Sequence, residues 1–111
     1  MKDILLACIV IVVSLWLAGC TQSDGTDTQN LAAKAERECK DLCKMALLAG
    51  NDLSRGPCLA NSIVTDWSCD IAHNPRDIVD DKSENQCSSF RGGITHHFIE
   101  LDTSCNLVRK Y

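Results

Sequence analysis

The chain has 111 residues, a formal charge of −4 and 23% charged residues, which is enough for one domain and no more. Beyond Lys2, its basic residues are scattered from Lys34 to Lys110 with no aromatic-interleaved basic stripe, which excludes nucleic acid as an expected partner.

Residues 4–15 form an apolar run of about 12 residues broken only by Ser14, with Lys2 before it. Such a run is shorter than the ~20 residues needed to span a bilayer but fits the apolar region of a signal peptide. Asp3 offsets Lys2, so the terminal amine supplies most of the positive charge ahead of the run. Removal of residues 1–19 takes away one Lys and one Asp and leaves the charge at −4.

Leu17-Ala18-Gly19-Cys20 closes the run. These four residues resemble the lipobox of prokaryotic membrane lipoproteins: a branched apolar residue, two small residues, then Cys. The resemblance covers only the first 20 residues. It implies a signal peptide over residues 1–19, a diacylglyceryl group on the Cys20 sulfur, and cleavage just before Cys20. It also implies a chain held at the cell membrane, facing outside the cytoplasm. Two acyl chains anchor stably where one is marginal, at ~0.8 kcal/mol per buried CH₂.

Residues 21–28 carry no apolar side chain, so residues 20–29 read as the lipidated cysteine and a flexible tether. Residues 30–49 then show helical periodicity. Leu31, Ala35, Cys39, Leu42, Cys43, Ala46 and Leu47 share one face, and Gly50-Asn51 marks the stop. Residues 51–57 have turn chemistry, and a short extended piece is expected within residues 58–64. Residues 67–73 alternate as a strand should, with Trp67, Cys69, Ile71 and His73 on one side and Ser68, Asp70 and Ala72 on the other. Residues 77–86 read as a solvated acidic loop, and residues 87–91 as one helical turn before Gly92-Gly93. Residues 94–101 and 105–111, joined at Asp102-Thr103-Ser104, read as a β-hairpin. The expected fold is α+β: a small disulfide-rich domain over residues 30–111, with one main helix packed on a short antiparallel sheet of about three strands.

Of the eight cysteines, Cys8 lies in the leader and Cys20 at its end. The other six, Cys39, Cys43, Cys58, Cys69, Cys87 and Cys105, form an even set that reads as a disulfide framework in an exported chain. Six cysteines allow about 15 pairings. Cys39 and Cys43 lie one turn apart with parallel side chains, so a bridge between them is not expected and both should reach other segments. Which segments they reach is left open.

Candidate chemistry is sparse. His73, His96, His97, Glu100 and the carboxylates Asp70, Asp77, Asp80, Asp81 and Glu84 are available metal donors. On a strand, however, His96 and His97 point to opposite faces, as do His97 and Glu100. The acidic loop lacks the ligand alternation and central glycine of an EF-hand. No C-x₂-C pair and no G-x-S-x-G is present. The expectation is therefore no metal, no cofactor, no catalytic residue and no enzyme. The chain would instead be a binding or envelope-associated module for an unknown protein or small ligand. The alternative is a small envelope enzyme or metal-binding protein using His73 with His96 or His97.

Three further phrases carry a second resemblance: Asp52-Leu53-Ser54-Arg55-Gly56-Pro57-Cys58-Leu59, Trp67-Ser68-Cys69-Asp70-Ile71-Ala72-His73-Asn74-Pro75-Arg76 and Glu84-Asn85-Gln86-Cys87. They resemble segments of small cysteine-rich exported proteins of unknown function, of an archaeal type. That resemblance implies no activity.

Overall fold

The structure, a computed structural model, describes Gly19 and residues 25–111. The signal peptide expected over residues 1–19 (Gly19 apart), the lipid attachment at Cys20 and the start of the tether lie outside the described residues.

Helix α1 runs Gly25–Leu48. It begins five residues before the expected start, so residues 25–29, assigned to the tether, are helical. Their lack of apolar side chains gave periodicity nothing to detect, and Asp27 suits the positive end of the helix dipole. The helix ends as its sequence dictates. Gly50 adopts φ 78°, its N–H donates to Leu47 O, and the Asn51 N–H donates to Ala46 O, both at 3.0 Å. This left-handed cap satisfies the last carbonyls at a position where a side chain would be strained. Ala35, Cys39, Cys43 and Ala46 are buried, whereas Leu31 and Leu47, at the margins of the stripe, are exposed.

Strands β1 (Cys58–Val64), β2 (Trp67–Ile71), β3 (His97–Leu101) and β4 (Leu107–Lys110) form one sheet in that order. One main helix on a small sheet is the expected architecture, but the sheet differs in two respects. It has four strands, because residues 58–64 make a full, bulged edge strand. Its central pair is also parallel, with Trp67 opposite His97 and Ile71 opposite Leu101, while the outer pairs are antiparallel. Parallel neighbours need a crossover of a dozen or more residues, and residues 72–96 supply it.

That crossover holds a cis Asn74-Pro75 bond, 3₁₀ turns at Ile78–Asp81 and Ser83–Asn85, and the short helix α2 (Ser88–Arg91). Buried Asp80 organises its first half. Its carboxylate accepts from the His73 N–H (3.0 Å) and the Asp77 N–H (2.8 Å), and lies 2.9 Å from His73 Nδ1. Gly56, at φ 65°, abuts that carboxylate so closely that a Cβ there would collide with it and press on the Ile71 carbonyl.

Trp67, Cys69 and Ile71 from β2 join Ile99 and Leu101 from β3 beneath α1, with Leu53, Val64 and Cys105 at the margins of this core. Three disulfides stitch the layers: Cys39–Cys69 joins α1 to β2, Cys43–Cys105 joins α1 to the β3–β4 turn, and Cys58–Cys87 joins β1 to the crossover. Cys39 and Cys43 thus go to different segments. The other face of β2 and β3 is roofed by the crossover, so the parallel pair is covered on both sides, as parallel strands generally are.

A candidate binding cleft between the sheet and its crossover

On the roofed face the strand register sets Ser68 beside Phe98 and Asp70 beside Glu100. Arg109 pairs with Glu100 from β4. The crossover brings Arg76, Gln86, Cys87, Phe90 and Arg91 over them, and a cleft of about 320 Å³ remains between the two layers. The Cys58–Cys87 bridge fastens one wall of this cleft to β1.

Glu100 is the anchor of the charges. Its side chain is 7% exposed, and it accepts from Arg76 Nη1 at 3.3 Å and from Arg109 Nη2 at 3.2 Å. Arg76 also donates from Nε to Asp81 at 2.9 Å, on the outer side of the crossover. Burying one carboxylate with one guanidinium barely breaks even, but a second guanidinium satisfies the remaining lone pairs. Asp70 has no such partner. Burial, then the neighbouring Glu100 charge, pushes its carboxyl up to about 7 against the opposing effects of the Ile71 N–H and Arg76. The two adjacent carboxyls are therefore partnered differently: Glu100 is held by arginines, while Asp70, without one, exchanges a proton near neutral pH.

Aromatic residues form the other end. Phe90 meets Phe98 edge-on at 4.8 Å, Tyr111 stacks on Phe98 at 5.4 Å, and the Arg109 guanidinium lies 4.9 Å from the Phe98 ring centre. Arg91 is exposed, and the one side-chain hydrogen bond it makes among the described residues runs to the Ser83 carbonyl at 3.3 Å.

The three histidines do not converge. His96 and His97 flank the β1–β2 turn, where Asp66 takes φ 68°. The Asp66 carboxylate accepts from the His96 N–H at 2.9 Å, lies 2.7 Å from His96 Nδ1, and is 3.7 Å from His97 Nε2. His97 also stacks on Trp67 at 4.8 Å. These contacts, the His96 hydrogen bond foremost, hold the Asp66 carboxyl below the ordinary carboxylate range. His73 sits beyond the far end of β2, about 20 Å away at ~3.3 Å per strand residue, paired with Asp80. The structure brings Asp70 and Glu100 together but leaves Asp77, Asp81 and Glu84 along the outer crossover. Among the described residues, no group of three His, Cys, Asp or Glu side chains is arranged to hold a metal ion.

Sequence reasoning weighed Asp70 and Glu100 only as metal donors and missed Arg76, Arg91, Arg109, Phe90 and Phe98. One signal was present: in the run His97-Phe98-Ile99-Glu100-Leu101, a carboxylate interrupts an otherwise apolar strand.

No family model matches the chain, and neither the curated proteins nor the solved structures contain a match. Among the described residues, no helix is long and apolar enough to cross a membrane.

Proposed function

We propose that the chain is an exported lipoprotein, anchored through Cys20 on the outer side of a cell membrane, whose stapled domain binds a small ligand without chemical turnover. The observation that carries the binding reading is the cleft, a concavity at the small end of the range for ligand pockets, with convergent polar groups and an aromatic end. Three disulfides fit an oxidising compartment, and the lipobox supplies the route to it. The alternative, a histidine-based enzyme or metal site, draws no support from histidines that lie at opposite ends of the sheet.

Cellular fractionation with intact mass spectrometry tests the anchor. The expected result is a membrane-bound species that begins at Cys20, carries a diacylglyceryl mass and lacks free thiols. Cys20→Ser should leave the membrane fraction or keep its leader. A parent protein that retains its leader, or carries no lipid, overturns the anchor.

A further inference from the structure

The cleft stands out electrostatically from the chain around it. The protein carries −4 overall, yet here three guanidiniums face two carboxyls. Their engagement is unequal. Arg76 and Arg109 are held on Glu100, and Arg76 on Asp81 as well. Arg91 has no carboxylate partner among the described residues, only the Ser83 carbonyl, and so keeps N–H donors for something else. A cation would find little here, because the nearly buried Glu100 already accepts from both guanidiniums. The apolar end is lined by the phenyl rings of Phe90 and Phe98 rather than by hydrogen-bonding groups.

We propose that the cleft takes a small organic anion, with a flat apolar body seated against Phe90 and Phe98 and its anionic group on Arg91. This rests on the reading of the cleft as a ligand site. Charge-assisted hydrogen bonds from a guanidinium are stronger than neutral ones and favour planar carboxylates. A flat body suits the edge-on phenyl pair, because aromatic rings prefer offset or edge contacts. Asp70 adds a condition. It faces Glu100 on β3, with Arg76 and Asp80 on the crossover and Arg91 and Arg109 lining the same cleft. In its protonated form it donates a hydrogen bond to the anion, and in its ionised form it repels it. Binding therefore weakens as the pH rises through about 7.

Calorimetric titration of the full-length protein with 2-naphthoate, its neutral isostere 2-naphthamide and the cation 2-naphthylmethylammonium tests this. The expected order places naphthoate about tenfold or more ahead of the other two, the effect of one charge-assisted hydrogen bond. Arg91→Gln, at an exposed position, should remove that advantage by weakening naphthoate much more than naphthamide, while Phe90→Ala should weaken naphthoate and naphthamide together. Equal affinity for naphthoate and naphthamide, or tightest binding of the ammonium, overturns the anion while sparing the cleft as a site. Absence of binding by all three, or binding indifferent to Phe90→Ala, overturns both readings.

Discussion

The two faces of the β2–β3 pair are built from alternate residues of the same ten positions, yet they have opposite chemistry. Beneath α1, Trp67, Cys69, Ile71, Ile99 and Leu101 form a core crossed by two disulfides. Beneath the crossover, Ser68, Asp70, Phe98 and Glu100 meet arginines across an open cleft. Both faces are covered, but one cover is tied down by sulfur and apolar contact, and the other by ion pairs and a single bridge. Such a division lets one face hold the strands rigid while the other keeps partly satisfied polar groups, which are costly in a core and useful in a site.

The largest test of that division removes a bridge from the helix face. The Cys43–Cys105 bridge closes a loop with a sequence separation of 62. Its loss should cost about 4 kcal/mol by chain-entropy reasoning, comparable with the whole stability of a small domain. Cys43→Ser with Cys105→Ser avoids an orphan thiol, and limited proteolysis should find little resistant domain. Resistance equal to that of the parent would show that the helix face does not carry the fold.

A change on the cleft face should act in the opposite direction. Asp70 ionises near 7 in the folded protein and near ~3.9 unfolded, so the folded state holds the proton more tightly. Its contribution is full below pH ~4 and is lost as the pH rises through about 7. Asp70→Asn should therefore be more stable than the parent above neutrality, by on the order of 2–4 kcal/mol, with a flatter pH profile. Urea unfolding across the pH range measures this, and identical profiles would mean that Asp70 is not confined as described.

The smallest effect is expected at His73. The hydrogen bond to Asp80 raises its pKa, so the stability it lends is present in mild acid and lost as the pH rises through that raised value. Burial works against the charged Asp80 carboxylate, but hydrogen bonds from Asp77 and His73 leave its pKa lowered, so its share is lost only in stronger acid. His73 is partly exposed, and solvent screening keeps the pair's contribution to roughly 1 kcal/mol or less. His73→Gln should trim the alkaline loss that remains in an Asp70→Asn background. An unchanged profile there would remove His73 from the account.

The helix face was legible in the sequence, because Ala35, Cys39, Cys43 and Ala46 recur at the period of a helix and apolar burial follows that period. The strand at Trp67 was legible by alternation, and the one at Phe98 as an arm of the hairpin turning at Asp102-Thr103-Ser104. The direction of their pairing was not: it depends on where residues 72–96 lead the chain, and no local pattern encodes that path. The cleft was hidden for the same reason. Asp70 lies on the side of its strand opposite Trp67, and only the crossover folding over it and its neighbour Glu100 makes those positions interior. Residues 25–29 were missed because a polar helical turn leaves no hydrophobic trace.

The sulfur connectivity also constrains how the chain matures. In sequence order the first cysteine of the framework joins the fourth, the second joins the sixth, and the third joins the fifth. No bridge joins sequence neighbours. A chain oxidised from its N-terminal end as it left the cytoplasm would have Cys39, Cys43 and Cys58 available to one another before any native partner emerged. Cys43 would wait longest, since its partner Cys105 is the last of the six. In such a chain, maturation would have to hold the early thiols reduced, or to reshuffle early bridges through mixed disulfides by thiolate attack. A chain exported in that way would depend on thiol exchange as well as on an oxidising potential.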